Sequence, residues 1–540
     1  MLWIALHLPA LSLEAFAATL SPAQTELPAA LVEAHRIVQA NAAARGLGVR
    51  PGLKRATALA LAPDLLLGQA DAQRDAQALL AVAHVALAFT PAVAMPTLSA
   101  GAGQGAGQEV LLEVQSSLRY FGGITALLRQ LKAALQPLAH QVQLATAPTA
   151  LGAALLARWR ADLEDGPHSM ALGPLRDLLD GAPVALLSEG AEHAEALQGM
   201  GLRSVADLRA LPRDGLTRRF GPELLLALDR ARGDAPEPHE WVELPPQFSS
   251  RVELFTRADR SEQLMAGAAI LLARLVAWAQ ARRGRIARFT LVMHHESGRH
   301  DRDDDGLFPR ASLASDESGG ESGSTACTEL LIALAEPALD AQHLRQLLAE
   351  RLARLPLAAP ALELSLRCAA VVPGEAPNDE LFPTRASEQA GLTRLVERLQ
   401  ARLGHEQVRC LELVQDHRPE RATVTRPAEP ARIDANSPAG SKSRHWPSHC
   451  PNHLPISRPV WLCPEPQPLR ERAASPLLDG QALRLLVGPE RIESGWWDDG
   501  MAARDYFIAD SGQGALVWIY RTRLPAADAG GSWFLHGRFA

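Results

Sequence analysis

Residues 109–123 read EVLLEVQSSLRYFGG, and no other stretch constrains this chain as much. Leu112, Val114 and Leu118 form an apolar face, while Glu109 and Glu113 bring carboxylates to the same strand. Two carboxylates on one strand are hard oxygen donors, which makes this strand a candidate for chemistry that uses Mg²⁺ to handle phosphates. Mg²⁺ demands hard oxygen ligands, and the substrate phosphates add negative charge that the metals must offset. The residue before Glu109 is Gln108, whose amide cannot supply that charge.

The chain opens MLWIALHLPALSLEAF. This apolar run, followed by Ala15, Phe16 and Ala17, has some features of a signal peptide. It lacks a basic leader, and Glu14 lies beside the would-be cleavage point. A buried first strand explains it better. The run holds no Asp, so it offers no Asp carboxylate to pair with Glu109. With 540 residues and 47% hydrophobic content, the chain should form several domains, because single cores stop growing near ~250–300 residues. No run is expected to approach the ~20 apolar residues of a membrane span. The cysteines Cys327, Cys368, Cys410, Cys450 and Cys463 are scattered, which fits a reduced, cytoplasmic protein. The net charge of −7 does not favour nucleic-acid binding except through a local basic face.

Further motifs follow in order. Residues 196–221, ALQGMGLRSVADLRALPRDGLTRRFG, read as helix, Gly199-Met200-Gly201, helix. Glycines permit a tight turn whose N–H groups can meet a phosphate, and Ser204 begins a capped helix. Arg203 stands beside the turn. Residues 246–373 alternate as strand, helix, strand, strand, helix, strand, a split βαβ pattern. The first helix and its end carry Arg274, Arg282, Arg283, Arg285 and Arg288, read as a basic stripe that tracks a nucleic-acid backbone. Residues 296–326, rich in Ser, Gly and Asp, read as a disordered hairpin insertion; its DRDDDG run reads as solvated charge. Residues 377–386, PNDELFPTRA, expose a Leu-Phe pair in a charged linker. Residues 392–403 read as a helix. Residues 417–455 read as a Pro- and Ser-rich linker, with His445, His449, Cys450 and His453 as stray loop residues, not a zinc site. The remainder reads as short aromatic strands with glycine turns, in which Trp496, Trp497, Trp518 and Trp533 are assigned to the core.

In this order the motifs resemble the Y-family (translesion) DNA polymerases. Residues 109–123 are similar to that family's second catalytic palm strand, with Gln108, Glu109 and Glu113 at its three acidic positions. On the first strand the family's two Asp positions fall on Ala5 and His7, or on His7 and Pro9, and a small residue replaces the bulky ribose-excluding side chain. Residues 35–67 resemble the fingers through Ala44, Arg45, Gly48, Val49, Gly52 and Pro63, with Ala42 at the family's nucleotide-gripping Tyr. Residues 89–93, FTPAV, match the approach to the second strand. Residues 141–159 keep Ala147 and Pro148 but have no lysine where the family turns lysines toward phosphate. The resemblance covers nearly the whole chain, and the closing W-F-L-H-G-x-F-A is similar to members that lack the catalytic carboxylates.

The resemblance implies an α+β multidomain fold: Y-family-like palm and fingers over 1–180, a helix-hairpin-helix thumb over 181–240, and a split-βαβ little finger over 246–373. A segment with a clamp-binding peptide, a helix and a linker follows over 374–458, and a small β-rich C-terminal module over 459–540. It implies no catalytic residue, the positions Ala5, His7, Gln108 and Glu109 being degenerate, and no cofactor or metal. It implies DNA contact by Gly199, Gly201, Arg203 and the little-finger arginines, and sliding-clamp (β subunit) binding by Asn378, Leu381 and Phe382. It further implies a RecA-like accessory protein and an error-prone C-family polymerase as partners in damage-induced mutagenesis. The alternative is an active translesion polymerase with an atypical metal site using Glu109 and His7. A third possibility, a tail domain serving as a nuclease or helicase accessory, lacks a phosphate loop or carboxylate cluster.

Overall fold

The computed structural model describes residues 1–21, 24–96, 108–159, 168–295, 327–357, 359–369, 371–374, 385–428, 458–459, 461–498, 500–512, 514–523 and 533–539. It divides into two units, Met1–Arg402 and Leu403–Ala540.

The first strand, β1 (Trp3–His7), is buried at every residue. That burial follows from its position. It lies inside a four-stranded antiparallel sheet of order β5-β6-β1-β7, with β5 Val93–Ala94, β6 Glu109–Glu113 and β7 Gln143–Ala147. Side chains alternate across a strand, so an uninterrupted apolar run needs cover on both faces. Ile4, Leu6, Val110, Leu112 and Leu144 pack against helices Ala72–Leu87 and Ile124–Leu135. Trp3, Ala5, Leu111, Ala145 and Ala147 pack on the opposite face against helix Ala150–Trp159 and the helices beyond it. A smaller sheet, β3-β2-β4, built from β2 Ala29–Glu33, β3 Arg36–Ala40 and β4 Leu66–Gln69, packs against Ala44, Val49, Ala58 and Ala62 of the segment expected to form the fingers.

The split βαβ pattern is present. β8 (Phe248–Ala258), helix Ser261–Ala281, β9 (Gly284–His295), β10 (Cys327–Ala338), helix Ala341–Ala353 and β11 (Ala361–Cys368) follow in order. The sheet runs β10-β9-β11-β8, and β12 (Val371–Pro373) pairs with β9. β11 is therefore inserted between β8 and β9, antiparallel to both. Helix Ser261–Ala281 corrects one expectation: with a mean hydropathy of 1.6 it is long and apolar enough to cross a membrane. Its apolarity serves burial, because Leu264, Leu271, Leu272, Leu275 and Trp278 fill the core beneath the sheet.

The second unit is β-rich. A hairpin of β13 (Arg409–Leu413) and β14 (Thr423–Pro427) opens it. Its main sheet runs β15-β22-β21-β20-β19, and a small one runs β16-β17-β18. In chain order these are Trp461–Pro468, Arg470–Arg472, Ser475–Leu478, Gln481–Ala482, Arg484–Ser494, Ala502–Asp510, Leu516–Thr522 and Trp533–Arg538. Trp518 and Trp533 are core residues, as expected, but Trp496 and Trp497 are 77% and 57% exposed. Part of the expected linker is ordered here. Arg418 is buried and donates to both carboxylate oxygens of Asp416 and of Asp498, and to the Gly500 carbonyl at 2.9 Å. These bonds fix residues 416–422 to the turn after β19. Cys450 and the histidines at 445, 449 and 453 lie outside the described residues, as does the insertion 296–326.

His84, on helix Ala72–Leu87, is buried, and its Nε2 has no hydrogen-bond partner among the described residues. Burial pushes it down to about 4. The unfolded chain takes up a proton below pH ~6.5 that the fold refuses, so stability present above that pH is lost as acid approaches pH ~4. Between about pH 7 and about pH 5 the expected loss is about 2 kcal/mol. His84→Leu should shrink that difference in urea midpoints; an unchanged pH dependence would place its origin elsewhere.

Candidate functional site

The antiparallel register sets His7 opposite Glu109 and Ala5 opposite Leu111. Both strands therefore present the expected metal-site positions on one face. Ala5 is fully buried there and supplies no ligand. Gln108 turns elsewhere: its Nε2 donates to Ser12 Oγ at 2.9 Å, and Ser12 in turn bonds Asp75.

Glu109 is 0% exposed, and its carboxylate is already taken. Arg158, in the last turn of helix Ala150–Trp159, donates from Nε to one oxygen and from Nη2 to the other, the latter at 2.8 Å. Its remaining arm donates to the Leu186 carbonyl at 3.1 Å. Burial pushes the Arg158 guanidinium down, but the bonds and charge of Glu109 outweigh it and hold it above its ordinary value. His7 Nδ1 lies 3.5 Å from the same carboxylate. Burial holds this imidazole below its ordinary value, against the pull of Glu109 and with Arg158 adding to the downward push, so it is neutral at neutral pH. A cation is thus present beside the retained carboxylate, and it is a tethered guanidinium. Among the described residues, no three His, Cys, Asp or Glu side chains gather where they could hold a metal ion. Sequence reasoning that looks for phosphate-facing lysines passes over Arg158; its one signal is that it is the sole basic residue of 141–159.

In the segment expected to form a thumb, Gly199 ends helix Ala194–Gly199 and Gly201 takes φ +81° in the turn, a conformation that favours glycine. The Ser204 cap is present as a reciprocal box with Asp207. The N–H groups of Arg203 and Ser204 donate to Asp207 Oδ2 at 3.1 and 2.9 Å. Those bonds, with the Ser204 hydroxyl, hold the Asp207 carboxyl below the usual range. Phosphate binding at these two N–H groups would have to displace that carboxylate. The Arg203 side chain is exposed, while Arg213 is bonded to Asp229.

The expected little-finger stripe loses one member. Arg274 is 6% exposed and donates to Gln77 Oε1 and Ser250 Oγ, each at 3.1 Å. Burial pushes it down to about 10. It ties helix Ser261–Ala281 to helix Ala72–Leu87 and β8, so it is an interior strut and not part of a surface. Helical spacing could not show this, since that helix is apolar nearly all round. Arg282 and Arg283 are exposed in the turn before β9, with Arg282 over the Trp278 ring at 5.7 Å. Arg288 is exposed on β9, and Arg285 is half-buried beside Gly374. In the segment expected to form the fingers, Ala42 and Arg45 are both exposed on helix Ala42–Gly46. Asn378, Leu381 and Phe382 lie outside the described residues.

No family model matches the chain. Protein ImuB of Caulobacter vibrioides is 28% identical over 516 residues, which span 91% of this chain and 100% of that protein. DNA polymerase IV of Salmonella typhimurium is 27% identical over 222 residues, 39% of this chain and 59% of that protein. Two solved structures, an insertion ternary complex of Dbh DNA polymerase and DinB from Sulfolobus solfataricus, each align with 69% of this chain at 14% identity. Both are covered in full, with TM-scores of 0.37 and 0.36. The chain is ImuB-like along almost its whole length.

The ion pair makes a stability prediction. Arg158→Leu strands a buried carboxylate and should cost about 3–5 kcal/mol, whereas adding Glu109→Leu to it should restore much of that loss. Arg158→Lys keeps the charge but not the two-pronged geometry, and should fall between. Urea unfolding of the single and double variants measures this. Additive losses would show that the two side chains are not coupled.

Proposed function

We infer that this chain is a polymerase-shaped, non-catalytic hub of damage-induced translesion synthesis. It grips DNA and gathers other proteins while a partner incorporates nucleotides. The observation that carries this reading is the Arg158 guanidinium on both oxygens of Glu109. Two-metal catalysis requires carboxylates free to hold cations between enzyme and triphosphate. Here the retained carboxylate is committed to an internal ion pair, and Ala5, His7 and Gln108 stand where its companions would be. Neutral His7 next to Arg158 does not replace an anionic ligand.

The remaining roles rest on the sequence motifs. DNA contact is assigned to the thumb turn, with Gly199, Gly201 and Arg203, and to Arg282, Arg283, Arg285 and Arg288; Arg274 is dropped because it is buried. The sliding clamp is assigned to Asn378, Leu381 and Phe382. An ImuA-like RecA-related protein and an error-prone C-family polymerase are the proposed partners, with the β-rich unit as the docking module. A small set of anchor residues usually dominates such interfaces.

Primer extension by the purified chain with Mg²⁺ or Mn²⁺ tests the central claim. The expected outcome is no incorporation above background, with DNA binding retained. Incorporation that disappears in Glu109→Ala would establish an active atypical polymerase instead. For DNA binding, Arg282→Glu with Arg283→Glu should weaken affinity and flatten its salt dependence by roughly one unit of log–log slope for each phosphate no longer neutralised. For the clamp, Leu381→Ala with Phe382→Ala should abolish co-purification; undiminished binding would move that site elsewhere.

A further inference from the structure

Helix Arg385–Leu403 is built inside out. A helix packed on a globular surface normally buries its apolar stripe and exposes its polar face. Here the inward residues are Thr393, Glu397 and Ala401, at 5%, 7% and 0% exposure. Leu392, Leu395, Leu399 and Leu403 face outward at 60%, 51%, 38% and 52%. Their spacing of three, four and four residues makes one continuous ridge.

The rotation of the helix is set by polar anchors, so the leucines are not exposed by chance. Glu397 accepts from the Ala335 N–H and faces His343 Nε2 at 2.9 Å. Arg394 donates to Asp340 at 3.2 Å, and Arg354 to the Ala401 carbonyl at 3.5 Å. Turning the leucines inward would take Glu397 away from Ala335 and His343. One flank of the ridge carries Arg394, Arg398 and Arg402. Arg394 is spent on Asp340, while Arg398 and Arg402 are exposed and form no ion pair among the described residues.

We propose that this ridge is a docking surface for an amphipathic helix of a partner protein, apolar along its seam and acidic along the edge that meets Arg398 and Arg402. The leucines supply the desolvated seam, and the two arginines set register and partner charge. A second copy of this chain fits poorly. Two-fold pairing brings the same patch to itself, and in an antiparallel helix pair equal flanks meet, so Arg398 and Arg402 would face their own copies. A membrane surface fits less well too, since the ridge has none of the aromatic anchors that interfacial helices carry.

The test uses the full chain and two synthetic amphipathic helices of about three heptads. Both have leucines along one seam; one is flanked by Glu and the other by Lys. Fluorescence anisotropy should show saturable binding of the Glu-flanked helix only. Leu395→Glu with Leu399→Glu should weaken it at least about thirtyfold. Arg398→Glu with Arg402→Glu should weaken it about tenfold and create binding of the Lys-flanked helix. All four positions are exposed, and unchanged circular dichroism and melting will show that the variants fold. The proposal is overturned by failure of the Glu-flanked helix to bind, by equal binding of both helices, or by binding indifferent to the leucines. It is also overturned if the chain alone dimerises through these leucines in sedimentation equilibrium, or if they drive co-sedimentation with phosphatidylserine vesicles. None of these outcomes depends on nucleotide incorporation, so the result stands apart from the primer-extension test.

Discussion

A carboxylate with no solvent exposure cannot remain charged without a cation beside it. In this chain the cation is Arg158, and much of the architecture around the β5-β6-β1-β7 sheet follows from that choice. A metal site satisfies the same requirement with ions that enter and leave with substrate. A guanidinium on a helix cannot leave. Its three arms join β6 through Glu109, the helix Ala150–Trp159 that carries it, and the turn at Leu186. What would be a place of exchange in a polymerase is here a structural joint. The apolar cover around it agrees: Ala5, Leu111 and Ala145 on the same sheet face are packed under that helix.

The pair also constrains substitution at Glu109. Once paired to Arg158 inside the protein, it cannot be changed alone without stranding the arginine, and the reverse is equally true. Removing one partner of a buried pair is far more costly than removing both. The pair is therefore a packing element of the sheet, and Ala5 and Gln108 join no such pair with it. The chemistry of the site and the stability of the sheet have been separated.

Much of this was legible in the residue order. β1 and β6 could be recognised because alternation and uninterrupted apolar runs have few structural solutions, and the split βαβ segment because its periods change from strand to helix and back. What could not be read was direction. Arg274 sits in a helix apolar on nearly every side, so periodicity gave no face on which to place it, and it proved to be interior. Trp496 and Trp497 look like Trp518 and Trp533 in sequence; only strand pairing separates a turn from a core. The inverted helix Arg385–Leu403 is the sharpest case, because its leucine spacing predicts an inward ridge and the buried Glu397–His343 pair turns that ridge outward. Arg158 belongs to a different class, since its partner is 49 residues away and no local pattern announces a long-range ion pair.

The surfaces assigned to partners share a weakness that fits an assembly role. The net charge is −7, so the general field opposes DNA. At the Gly199–Gly201 turn, two of the N–H groups suited to phosphate are already held by Asp207, and a phosphate gains only the difference between the two anions. The exposed arginines near β9 are few. Each grip alone would bind weakly and with strong sensitivity to salt. Linked grips behave differently: once one module is held, the next binds at a high effective concentration, and avidity can exceed any single affinity by orders of magnitude. Under the proposed hub role, individually weak grips would keep the chain off DNA until several are engaged together.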